Sequence, residues 1–85
     1  MKLHIIKHLV NFAEQKDIDY LQETTDTLES LTELDRISDE ELDVIGELLS
    51  NLSGAIEVSK MIKNGTPKTE AINTFMKRVV GSIDK

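Results

Sequence analysis

Apolar residues along this chain recur at the three-and-four spacing of helices and nowhere alternate as a strand would. Leu3, Ile5, Ile6, Leu9, Val10, Phe12 and Ala13 share one side of a 3.6-residue wheel, while His4, Lys7, His8, Asn11, Glu14 and Gln15 share the other. The pattern predicts an amphipathic helix over 3–16. A second helix is predicted over 18–34, capped by Asp17 or Asp19 and carrying Ile18, Leu21, Leu28, Leu31 and Leu34, with Thr24 and Thr25 thinning its apolar stripe. The sharpest local signal follows. Ser38 and Glu41 spell a capping box, and Ile37 and Leu42 stand where a hydrophobic staple would join them.

That box opens a third helix over 39–63, about 37 Å long at 1.5 Å per residue. Asn64 and Gly65 supply a stop, Gly being the residue that takes the left-handed conformation most readily. Thr66 as cap and Pro67 as first residue then open a fourth helix over 67–83, with Ala71, Ile72, Phe75, Met76, Val79, Val80 and Ile83 as its core face. So short a turn makes helices three and four a tight antiparallel hairpin, and the fold class expected is all-α, a compact four-helix bundle-like domain spanning 1–85.

The third helix is apolar around more than half its circumference, with Leu42, Ile45, Leu48, Leu49, Leu52 and Ile56 on one side and Val58 and Met61 on another. It must meet neighbours on two sides. Gly46, Ser50 and Gly54 recur every four residues along it, and small residues let another backbone come close. With Val58 and Met61 they mark close helix packing inside the chain or, as the alternative that so small a core keeps open, the seam of a symmetric homodimer.

Composition narrows the chemistry. There is no cysteine, which excludes disulfides, thiolate metal sites and thiol redox chemistry in this chain and fits a cytoplasmic protein. The N-terminal residues are apolar only in short pieces broken by Lys7 and His8, so neither a secretion signal nor a membrane span is expected.

Charge is unevenly placed. Thirteen of the 16 acidic residues lie between Glu14 and Glu47, against Lys16 and Arg36 alone, a net of −11 in a chain whose total is −6. From Lys60 onward the balance is +4, and Lys2 and Lys7 make the first helix basic. On the second helix Asp19, Glu23, Asp26, Glu29 and Glu33 follow one another at three and four residues, an acidic stripe opposite the apolar face. Such a stripe is either a solvated surface or a docking face for a basic protein partner, whose association its field would speed. Asp39, Glu40, Glu41 and Asp43 belong instead to the first turn of a helix, where carboxylates interact favourably with the helix dipole.

No catalytic constellation accompanies these features. His4 and His8 stand one helical turn apart, a spacing able to chelate zinc, copper or nickel, but two ligands fall short of a structural site and no further histidine exists. Asp17 and Asp19 are followed by Tyr20 and Leu21 rather than by the Asp or Asn and Gly of a calcium loop. No glycine-rich phosphate loop or activated nucleophile is spelled. An acyl-carrier reading fails because Ser53 lacks a preceding Asp and falls within a helix. The expectation is a protein that is not an enzyme, needs no cofactor or metal, and works by protein–protein interaction or regulation.

The competing expectation is a helix-turn-helix regulator of nucleic acid, reading the turn 61–70 as the motif and Lys68, Asn73, Lys77 and Arg78 as contacts from the last helix. The acidic half opposes it, because affinity for DNA comes largely from neutralised phosphates.

The stretches 39–51 (DEELDVIGELLSN), 54–58 (GAIEV) and 64–79 (NGTPKTEAINTFMKRV) resemble a family of short, acidic, all-helical bacterial proteins of unknown function, over nearly the whole chain. That family implies gene neighbours among thioredoxin and peroxiredoxin proteins. With no cysteine here, a link to thiol metabolism would run through docking or regulation. The resemblance carries over no catalytic residue.

Overall fold

A computed structural model describes the backbone of residues 2–83 and the side chains of residues 2–79. Four helices follow in order: α1 (Leu3–Gln15), α2 (Ile18–Leu31), α3 (Asp39–Lys63) and α4 (Lys68–Ile83). No strand occurs among the described residues. All three other helices pack on α3. The expected core positions Val80 and Ile83 lie outside the described side chains.

Three boundaries differ from expectation, and one matters. Helix α1 stops at Gln15 rather than at 16, where Lys16 leaves helical geometry with φ −110° and ψ −89°. Helix α4 begins at Lys68 rather than at Pro67, whose carbonyl accepts the first helical bond from the Ala71 amide at 2.8 Å. Helix α2 ends at Leu31 rather than at 34. Beyond it, the amides of Thr32, Glu33 and Leu34 bond three residues back, to Glu29, Ser30 and Leu31, so the chain tightens into turns instead of continuing the helix. Glu33 and Leu34 therefore stand in the connection to α3.

Local caps fix the ends. The Asp17 side chain accepts the Asp19 amide at the start of α2. At the start of α3 the Ser38 hydroxyl accepts the Glu41 amide at 3.1 Å while the Glu41 carboxylate accepts the Ser38 amide at 2.9 Å, the full reciprocal box. The bond from the Ser38 backbone amide, with the Ser38 side chain adding to it, holds the Glu41 carboxyl below its ordinary value. Helix α3 ends in a Schellman motif: Gly65 takes φ +109°, its amide bonds Ile62, and the Thr66 amide bonds Met61.

The directions of the helices follow from where they touch. The Lys2 amide donates to the Asn51 side chain at 2.8 Å, while Ala13 shares a cleft with Ser59 and Ile62. So α1 runs parallel to α3 along its C-terminal half. Ile18 enters the same cleft, and the far end of α2 lies beside Leu49, which makes α2 antiparallel to α3. The edge-on contact of Phe12 and Tyr20, centroids 5.9 Å apart, ties α1 to α2 at that turn. Helix α4 returns antiparallel, bringing Phe75 back to Gly54.

The core gathers Ile6, Val10, Leu21, Leu52, Ala55, Val58, Ala71 and Phe75. Two polar side chains are buried with them. Thr25 donates to the Leu21 carbonyl, and Asn51 both accepts the Lys2 amide and donates to the Glu47 carbonyl, so each is satisfied.

Candidate functional site

Helix α2 buries Leu21 and Thr25 toward α3, so residues half a turn away face solvent. Asp19, Glu23, Asp26 and Glu29 are all exposed there, and Glu33 is exposed in the turn that follows. The structure brings only part of the set together. Asp26, Glu29 and Glu33 line one open groove of about 550 Å³ with Ser30, Thr32 and Leu49, whereas Asp19 and Glu23 lie outside it. Leu49 reaches this groove from α3 and is half-buried.

Among the described residues, neither the ion pair of Lys68 with Glu14 at 2.7 Å nor that of Arg78 with Glu57 involves the five carboxylates. Two cations of α4, Lys68 and Arg78, pair within the chain while remaining exposed. Lys68 also bonds Asn11, and the Arg78 guanidinium lies 5.6 Å from the centre of the Phe75 ring. Two of the four residues expected to contact nucleic acid are thus engaged within the chain, while Asn73 and Lys77 are exposed.

The small-residue row of α3 divides. Gly54 is buried and Val58 has no exposed surface, so both pack inside the chain, and Met61 is half-buried against the same core. A Cβ on Gly54 would lie 2.8 Å from Phe75 Cζ and 3.3 Å from Ile6 Cδ1. Ser50 is half-buried, and Gly46 is exposed, so that a Cβ placed on it would meet nothing within 4 Å.

His4 and His8 are exposed on α1, and no group of three or more His, Asp or Glu side chains is placed to hold a metal ion among the described residues. A cleft of about 230 Å³ where α1 turns into α2 is lined by Ala13, Glu14, Asp17, Ile18, Ser59, Ile62 and Lys63. The Ser59 hydroxyl, shielded from solvent, has no hydrogen-bond partner there. No described helix is long and apolar enough to cross a membrane.

One surface escaped the sequence reading. Leu31, Leu34, Val44 and Leu48 are exposed by 42, 60, 60 and 40 %. The signal was present in the helix lengths: α1 has 13 residues and α3 has 25, so α1 cannot cover α3 along its whole length.

The profile of a family described as of unknown function (DUF6952) matches residues 1–84. Neither the curated proteins nor the solved structures contain a match to this chain.

Proposed function

Since this chain belongs to DUF6952, a family of unknown function, we propose from its surface alone that it is a non-enzymatic interaction protein whose acidic groove receives a basic segment of a protein partner. The observation that carries the reading is that Asp26, Glu29 and Glu33 line a single groove with Leu49, with no cation of the chain paired to them among the described residues. Carboxylates beside one apolar side chain, Leu49, suit a segment bearing Lys or Arg next to an apolar residue. The partner gains Coulomb attraction on approach and apolar contact on arrival. The absence of cysteine fits work in the cytoplasm.

The groove is open rather than enclosed, so it offers little of the water exclusion that acid–base catalysis draws on. This supports docking over chemistry. The test is to compare proteins retained by the wild-type chain and by the triple variant Asp26→Lys, Glu29→Lys, Glu33→Lys, then to titrate the recovered partner with both at several salt concentrations. A partner that binds the wild type in a salt-sensitive way and is lost by the triple variant supports the groove. Equal affinity for both removes it.

A further inference from the structure

The side of α3 that α1 covers is a continuous row at helical spacing: Val44, Leu48, Asn51, Ala55, Val58 and Ile62. From Asn51 to Val58 that row has no exposed surface. At Val44 and Leu48 it is 60 and 40 % exposed, because α1 begins at Asn51, where the Lys2 amide is bound. The same holds across the slot on α2. Tyr20 touches Phe12 of α1, and the row it starts, Tyr20, Thr24, Thr27 and Leu31, runs on to an exposed Leu31. Past the first turn of α1 the slot therefore continues as a bare apolar trough between α2 and α3, with the 36 % exposed Leu3 at its mouth.

We infer that a second copy of this chain closes the trough, the two α3 N-terminal halves packing antiparallel about a two-fold axis between Val44 and Leu48. The distribution of charge favours a second copy over another occupant.

One end of the trough is the acidic first turn of α3, with Glu40 and Glu41, and the other is the basic start of α1, with Lys2. A two-fold axis at the middle exchanges those ends, setting Lys2 of each copy against the Glu40 end of the other, which is the self-complementarity an isologous contact needs. The face is distinct from Gly46, which lies on the opposite side of α3 from Val44 and Leu48 by helical spacing. It also leaves Asp26 and Glu29 on the outer flank of α2, so the inference does not rest on the acidic-groove reading.

The experiment is sedimentation equilibrium of the full chain over about 5 to 200 μM, with helical content and melting recorded for each variant. Expected is a mass near twice 9.6 kDa, reduced to the monomer by Val44→Glu and by Leu48→Lys, both at exposed positions that leave the core intact. Lys2→Glu and Glu40→Lys should each weaken the dimer, and combining them should restore it. A wild type that stays at 9.6 kDa throughout, or a dimer unaffected by both Val44→Glu and Leu48→Lys, overturns the proposal. Should either apolar-site variant fail to fold, the Lys2 and Glu40 pair decides alone: rescue upholds the two-fold arrangement and its absence rejects it. Loss of partner binding in the triple variant of the acidic groove is read independently of mass, so the two readings fail separately.

Discussion

Gly54 faces the Phe75 ring so closely that a Cβ would stand 2.8 Å from Cζ and 3.1 Å from Cε2. This contact seats α4 against α3, and Ile6 of α1 closes the same spot from the other side, 3.3 Å from the Cβ position. Three helices thus meet at a residue with no side chain.

The two interior glycines of α3 should respond in opposite directions to the same substitution. Gly46→Ala meets nothing within 4 Å and should gain about 0.5–1 kcal/mol from helix propensity. Gly54→Ala gains the same propensity but must displace the Phe75 ring, and overpacking of that kind costs about 1–3 kcal/mol. Thermal melting should therefore rise for the first and fall for the second. Phe75→Leu added to Gly54→Ala should recover part of the loss relative to the two single changes summed; strict additivity would mean the ring is not what the methyl meets.

The capping box gives a pH signature. Ser38→Ala removes the acceptor for the Glu41 amide and should cost about 1 kcal/mol. Because the folded state holds the Glu41 carboxyl below its ordinary value, the associated stability is present above the unfolded carboxylate range and is lost as pH falls through the lowered value. Glu41→Gln keeps an acceptor for the Ser38 amide but cannot titrate. Denaturant unfolding from pH 6 down to pH 3 should accordingly fall less steeply for Glu41→Gln than for the wild type, and parallel curves would contradict the assignment.

Asn51 is the polar pin of the core, with no exposed surface and both ends of its amide bonded. Asn51→Leu leaves the Lys2 amide without this acceptor, and losing one partner of a buried hydrogen bond costs about 1–3 kcal/mol. The loss should be local before it is global. Amide exchange in the first turn of α1 is expected to accelerate more than exchange in α4, a contrast that hydrogen-exchange mass spectrometry resolves.

The Lys68 to Glu14 pair should matter little. Both side chains are more than two-fifths exposed, so solvent screens the attraction, and such pairs are worth less than about 1 kcal/mol. A double-mutant cycle with Lys68→Met and Glu14→Gln measures it, and a coupling well above that value would show that the adjoining Asn11 contact strengthens the pair.

What the sequence made legible was whatever a few neighbouring residues decide. Ser38 with Glu41, Asp17 and Gly65 each act on backbone within a turn of themselves, and each stands where pattern placed it. The end of α2 was less legible because no Gly or Pro marks it, and Leu34 continues the apolar spacing past the point where three-residue bonds take over. Burial of Thr25 and Asn51 was hidden because polarity argues outward, and only tertiary contacts provide the partners that satisfy them. The acidic stripe was visible as charge. Its division into three carboxylates that share a groove and two that do not depends on Leu49, a residue of another helix.

The bond from Lys2 to Asn51 spans 49 residues of sequence, and that separation sets an order of events. Helix α1 is synthesised before α3 yet finds its long flank only when the second half of α3 exists, and Phe75 comes later still. The turn at Gly65, by contrast, closes over neighbours in sequence at small entropic cost. A nascent chain that has reached Leu31 thus carries Ile6 and Val10 with most of their eventual cover unmade. During synthesis α1 waits longest for its partners, which makes residues 3–31 the stretch most exposed to capture by chaperones or by other unfinished chains.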